Sequence, residues 1–225
     1  MILFHSNNSK YSNLSPLISH NIRSLLEQSE SAYAIDEALV NAAVNLVFYA
    51  DENNTGSWQD LELLFMQRAV HPKDPWSGHI AFPGGGLESC DEHTLATAIR
   101  ETHEELGFKL DKTVWCGALP PITGPVISDI KKVQVFPHIF VVEKKPEIVI
   151  NEEVQSAFWL PVNRLSQQQF VFRYPHPKMQ DPTMLAIDIG EHVNMPLWGL
   201  SLEILYQFYL AVNWRVEQEL RTFIR

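Results

Sequence analysis

The stretch that most constrains this chain runs from Phe82 to Phe108, FPGGGLESCDEHTLATAIRETHEELGF, where three consecutive glycines lead into carboxylates at helical spacing. Ser89 followed three residues later by Glu92, just ahead of an apolar-periodic run, has the form of a capping box and predicts a helix beginning near Cys90. Leu95, Ala98, Ile99, Thr102 and Leu106 share one face of that helix, and Gly107 supplies its stop. At about 100° per residue, Glu101, Glu104 and Glu105 fall within an arc of roughly 100° on the side turned away from the apolar stripe. Carboxylates on adjacent turns, about 6 Å apart, repel by roughly 0.7 kcal/mol per pair in bulk water and roughly 3 kcal/mol at an effective dielectric of 20. Such a face calls for a cation. Arg100 and Lys109 supply part of it, and a hard divalent ion with oxygen ligands suits three glutamates better. A solvated acidic helix face is the plainer alternative for these three residues alone.

The spacing extends further than the carboxylates. Gly86, five residues, Glu92, seven residues, then Arg100 through Phe108 resembles the Nudix box, Gly-x5-Glu-x7-Arg-Glu-U-x-Glu-Glu-x-Gly-U, where U is a bulky apolar residue. The departure is Thr102 at the first U. The resemblance implies an α/β protein: an α/β/α sandwich with a mixed sheet, here with a long C-terminal helix, that hydrolyses a pyrophosphate linked to a nucleoside. It implies Glu101, Glu104 and Glu105 as ligands of Mg²⁺ or Mn²⁺, Arg100 as the residue orienting those carboxylates, and Glu92 as support for the loop. Gly84, Gly85 and Gly86 would let backbone approach a phosphate closely. In similar enzymes the general base is a box glutamate or one from a later loop, and Glu152 and Glu153 in INEEVQSAFWLP are placed for it, with Glu153 the expected catalytic residue. Exposed loop charge is the alternative for both. His103 lies off the carboxylate arc and reads as a surface residue, whereas His79 is near enough to the glycines to be weighed as a substrate contact.

Two flanking stretches resemble the coenzyme A pyrophosphatase branch of the same family. Upstream stand Leu64, Arg68, Ala69, Gly78 and Phe82-Pro83-Gly84-Gly85; downstream, Leu197-Trp198-Gly199-Leu200-Ser201 leads into a long helix. Met66 stands where that branch has Thr, Lys73 where it has Arg, and the gap from there to Gly78 is one residue longer. The resemblance makes coenzyme A or an acyl-CoA the leading substrate and Arg68 a substrate-binding residue. ADP-ribose, a dinucleotide or a nucleoside triphosphate is the alternative, and a non-catalytic nucleotide-binding regulatory module is the alternative of another class. Trp198 reads as a core residue ahead of a substrate platform.

The rest of the chain is scaffold around this stretch. Residues 1–40 read as an N-terminal helical extension and 41–225 as one domain. Apolar runs at 42–50 and 61–68 suggest a long hairpin, further strands are expected at 114–122, 133–142, 154–160 and 184–190, and Pro161 is placed to start a short helix. Leu200, Ile204, Leu205, Phe208, Val212, Val216, Leu220 and Phe223 recur at helical spacing, so a long amphipathic helix is expected from Leu200 to Thr222, with core packing as its first role and a homodimer contact as its second. A net charge of -10 argues against a nucleic-acid partner. Cys90 and Cys116 form no framework, and the first residues are too short an apolar run for a signal or membrane segment, so a cytoplasmic protein is expected.

Overall fold

Apolar side chains point both ways from the central strands, so each strand has two faces to bury. Strand β1 (Val40–Tyr49) sends Leu46 and Phe48 into one core and Val47 into another, and β2 (Glu62–Arg68) divides Leu63 and Phe65 from Leu64 and Met66 in the same way. A computed structural model of the chain describes residues 20–29, 33–51, 60–72, 74, 76–124, 132–175, 184–190 and 193–212. Around β1 and β2 the larger sheet adds β3 (Ile80–Ala81), β4 (Gly84–Gly86), β5 (Trp115–Ala118), β6 (Ile122–Thr123), β7 (Val133–Val142) and β8 (Val154–Pro161). It is mixed: β1 and β7 run parallel from Val40↔Val133 to Tyr49↔Val142, and the other pairs are antiparallel. Helix α1 (Thr94–Leu106) covers one face. After β8 the chain makes the single turn α2 (Val162–Leu165), with Pro161 at its N-cap, then a small antiparallel sheet of β9 (Val171–Tyr174), β10 (Met184–Ile187) and β11 (Leu197–Trp198). That sheet and α3 (Gly199–Ala211) cover the other face, with the Phe48 and Phe208 rings 4.6 Å apart. The result is the expected α/β/α layering.

The long hairpin expected from 42–50 and 61–68 is corrected. Strands β1 and β2 pair only at Phe48↔Leu63 and Tyr49↔Glu62, and then they diverge. Strand β3 pairs with the far end of β2 at Met66↔Ala81, while β4 pairs with the start of β1 from Ala42↔Gly86 to Val44↔Gly84. Residues 80–86 therefore sit in a fork of the sheet, and the Asn45 N–H donates to the Pro83 carbonyl at 2.8 Å inside it. Gly84 is required there. Its φ is 144°, and a Cβ would run into the Ala43 carbonyl oxygen and lie 2.6 Å from Val44 Cα.

Helix α3 also differs from the expected one-sided stripe. Leu202, Ile204, Leu205, Tyr206, Phe208 and Tyr209 are all buried, because the helix is packed against the large sheet and against β10 and β11 at once. Residues 213–222, expected to continue it, lie outside the described residues, as do Lys73 and most of the extension, 1–19 and 30–32. The described part of that extension joins the main core: Ile22 is fully buried, and Gln28 Nε2 donates to the Cys116 carbonyl at 2.8 Å. Among the described residues no helix is long and apolar enough to cross a membrane.

Candidate active site

Helix α1 begins at Thr94, four residues later than the Ser89–Glu92 pattern suggests. Its N-cap is His93, whose Nδ1 accepts the Ala96 N–H at 3.0 Å. The reason lies in the preceding turn. Asp91 N–H donates to the Glu88 carbonyl at 3.0 Å and Glu88 N–H to Asp91 Oδ2 at 2.9 Å, which keeps 88–91 out of the helix. Asp91 also takes the role expected of Glu92. Arg100 grips it with Nε on Oδ1 at 3.1 Å and Nη2 on Oδ2 at 2.9 Å, and Nη2 reaches the Gly86 carbonyl at 3.0 Å. Glu92 is exposed. These charge-assisted bonds hold the Asp91 carboxyl down at about 2 and raise the Arg100 guanidinium further above its already high value. One guanidinium thus ties the glycine run to the helix that follows it.

The apolar face is as expected, with Leu95, Ala98, Ile99, Thr102 and Leu106 all buried. Thr102, the departure from the box, has a partner that explains it: Asn45, fully buried on β1, donates from Nδ2 to Thr102 Oγ1 at 2.7 Å and to the Ala98 carbonyl at 2.6 Å. An asparagine in the middle of the apolar run AAVNLVFYA is the sequence signal for that contact, whereas Asp91 carries no such local signal. A buried polar group needs such partners, since leaving one unmade costs about 1–3 kcal/mol.

The glutamates do not share an open face. Glu104 is half exposed, the Glu101 side chain keeps 15% of its exposure, and Glu105 keeps only 2%. The correction follows from the fork, because β4 lies against this side of α1 and turns it from solvent. Gly84 N–H donates to Glu105 Oε2 at 2.8 Å, and a Cβ on Gly85 would stand 2.5 Å from the Glu101 carboxyl carbon. Burial raises the Glu105 carboxyl to about 8 in spite of the Gly84 bond, with further push from Glu101 and Glu153; Glu101 is raised too, mainly by burial. Arg100 Nη1 lies between Glu101 and Glu104, donating to them at 2.9 and 3.0 Å.

Glu153 pushes both the Glu101 and the Glu105 carboxyl upward. The chain reaches there because its loop is tied to the end of α1. Val149 N–H donates to the Leu106 carbonyl at 2.9 Å and Asn151 N–H to the Glu105 carbonyl at 3.1 Å. The Ala69 N–H then donates to the Glu153 carbonyl at 2.8 Å. Arg68, at the end of β2, holds Asp74 from Nε at 2.9 Å, and its charge draws the Glu105 carboxyl downward against the effect of burial. Gly84–Gly86 and Arg68 open onto a cavity of about 630 Å³ walled by Val44, Val135, Leu185, Trp198 and Glu203 among others. His79 lines it as well, with its ring 4.7 Å from that of Trp198; His103 is exposed on the far side.

The profile of the NUDIX domain family matches residues 41–179, spanning the fork, the glycine run, α1 and the Glu153 loop. The chain belongs to the Nudix family. The Nudix hydrolases NudL of Salmonella newport and Salmonella agona are each 29% identical to it over 156 residues, covering 67% of this chain and 75% of theirs. Among solved structures, a MutT/nudix family protein from Enterococcus faecalis superposes with a TM-score of 0.55 at 15% identity, over 94% of this chain and 76% of that one. The NUDIX domain of Shewanella oneidensis NrtR, solved with ADP ribose, gives 0.50 at 16% identity, over 78% and 91%. The protein is a Nudix hydrolase.

Nudix hydrolases generally use divalent metal ions, and the donors here suit one. Glu101 and Glu105 are carboxylates driven upward by burial and mutual repulsion, which a hard cation among their oxygens would relieve. Among the described residues no three such side chains already enclose a point for an ion. In this structure the cation that Glu101 and Glu104 share is the Arg100 guanidinium, through Nη1.

Proposed function

We propose that this Nudix hydrolase cleaves the pyrophosphate of a nucleoside diphosphate joined to a second group, with Mg²⁺ or Mn²⁺ as cofactor and coenzyme A or an acyl-CoA as first substrate. The observation that carries the reading is the apposition of partly buried Glu101 and buried Glu105 to the glycine run, which also lines a largely apolar cavity. Glu101, Glu104 and Glu105 would hold the ion, which when bound supplies charge neutralisation at the phosphates and a more acidic water. Gly84, Gly85 and Gly86 bring backbone rather than side chain to the phosphates, and Gly86 has open space where a Cβ would stand. Arg68, steadied by Asp74, meets a phosphate oxygen at the cavity mouth. Arg100 keeps Glu101 and Glu104 in line, and Glu153 accepts the proton of the attacking water. A cavity walled by valines, leucines and tryptophans suits the long, uncharged arm of coenzyme A. The sequence pattern around Arg68 and Trp198 supports the same choice.

ADP-ribose is the second reading, because a fold neighbour was solved with that ligand. The test is turnover of coenzyme A, an acyl-CoA, ADP-ribose, NADH and nucleoside triphosphates with Mg²⁺ and with Mn²⁺, identifying the products. Cleavage of coenzyme A at the pyrophosphate is expected, falling by about 10²-fold or more in Glu104→Gln with thermal stability unchanged. Negligible coenzyme A turnover beside rapid cleavage of ADP-ribose would replace the first substrate with the second, and full activity in Glu104→Gln would sink the metal assignment.

A further inference from the structure

The cavity beyond the glycine run is lined by valine, leucine, isoleucine, alanine and tryptophan side chains, yet two formally charged residues enter it. One is Arg68, at the mouth and engaged with Asp74. The other is Glu203, on the first turns of α3, where it lines the same apolar cavity. Glu203 is half-buried, and among the described residues it has neither a hydrogen-bond nor an ion-pair partner. Burial raises its carboxyl and no neighbouring cation lowers it, as the surroundings are apolar. Such a group is costly to keep in place unless something in the cavity bonds to it. Its position is fixed: Ser201 Oγ, two residues earlier, donates to the Ile80 carbonyl at 3.0 Å and pins the start of α3 to the fork.

We infer that Glu203 is a specificity-determining residue: it accepts a hydrogen bond from an uncharged N–H- or O–H-bearing group of the substrate lodged in the apolar cavity, and it turns away a phosphate or carboxylate there. This rests on the pyrophosphohydrolase reading for the direction in which substrate lies. With the phosphates at Gly84–Gly86 and Arg68, the remaining group extends along Val44, Val135 and Leu185 toward α3. About 630 Å³ accommodates a nucleobase, a ribose or a chain of amides, and each of these carries donors. A carboxylate on an otherwise apolar wall discriminates strongly, because an analogue without the donor leaves it buried and unpaired. It also repels an anion across a space walled by apolar side chains, where like charges are poorly screened.

Trp76 and Trp198 line the same cavity, so binding can be read from tryptophan fluorescence without metal and without turnover. The probes are coenzyme A, whose arm carries amide N–H groups, and ADP-ribose, whose far sugar carries hydroxyls. For the probe the wild-type protein binds more tightly, Glu203→Leu is expected to raise Kd about tenfold, as loss of a hydrogen bond to a charged group does. Glu203→Gln, which keeps an acceptor oxygen, is expected to raise it about threefold or less. In turnover the loss should fall on KM rather than on kcat. Unchanged Kd for both probes in Glu203→Leu overturns the inference, as does failure of the wild-type protein to bind either probe. Binding that depends on Glu203 without metal-dependent hydrolysis would overturn the pyrophosphohydrolase reading and leave this one standing.

Discussion

Gly84 and Gly85 are neighbours in one strand, yet replacing each by alanine should break different things. At Gly84 a Cβ meets backbone, the Ala43 carbonyl and Val44 Cα, and the residue holds a φ of 144°. Neither obstacle can move without opening the β1–β4 pairing. Backbone strain of about 1–3 kcal/mol and overpacking of about 1–3 kcal/mol add to about 4 kcal/mol. For a domain of this size that lowers Tm by about 10 °C. At Gly85 the φ is not positive, and the new methyl meets only the tip of a side chain, with the Glu101 carboxyl carbon and Oε2 at 2.5 Å. The carboxylate can swing away, and opening that contact to an ordinary separation of about 3.5 Å takes about 1 Å of movement. Tm should therefore stay within about 2 °C of the wild type, while turnover falls about 10²-fold, the usual result of misplacing a catalytic group by that distance. Circular dichroism melts, Mn²⁺ binding followed by electron paramagnetic resonance, and turnover with Mg²⁺ separate the two outcomes. If Gly85→Ala melts as early as Gly84→Ala, or binds Mn²⁺ and turns over like the wild type, the reasoning about Glu101 is wrong.

Two further expectations come from side chains the helix depends on. Asp91→Asn leaves Arg100 without its principal partner at a site where the Asp91 side chain is 5% exposed; stability should drop by about 3 kcal/mol and activity with it, whereas Glu92→Gln should change neither, and equal effects in a denaturant titration of the two would contradict the assignment. His138 is buried against Thr94 Oγ1 at 3.0 Å, and burial holds it down at about 3, against 6.5 unfolded. Above pH 6.5 it is neutral in both states, so its contribution is complete there. As pH falls from 6.5 toward about 3 the unfolded chain gains a proton the folded one refuses, and stability is lost at about 1.4 kcal/mol per pH unit. Urea unfolding across that range should show a shallower slope for His138→Gln than for the wild type; parallel slopes would rule out the buried neutral histidine.

Spacing in the sequence alone determined the family, the helix face that packs and the three glutamates, because these are local patterns: helical periodicity and fixed intervals within 27 residues, Phe82 to Phe108. The strands at 133–142 and 154–160 and the turn after Pro161 were legible for the same reason. Pairings between distant segments were not. Alternating apolar residues announce a strand but not how far it stays with its neighbour, so the fork of β1 and β2 appeared only in three dimensions. That fork changed the chemistry of the glutamates: it laid β4 over α1, buried Glu105, half-covered Glu101, and left Glu104 as the exposed member. The choice of Asp91 over Glu92 was decided by a turn whose hydrogen bonds compete with a capping pattern one residue away. The loop that carries Glu152 and Glu153 was placed beside α1 only by its backbone bonds to the Glu105 and Leu106 carbonyls. Glu203 lies 98 residues beyond Glu105, so no local interval could link them. It lines the same cavity as the glycine run because α3 folds back across the sheet and Ser201 fastens it to Ile80, a contact between residues 121 apart that depends on the packing of both layers.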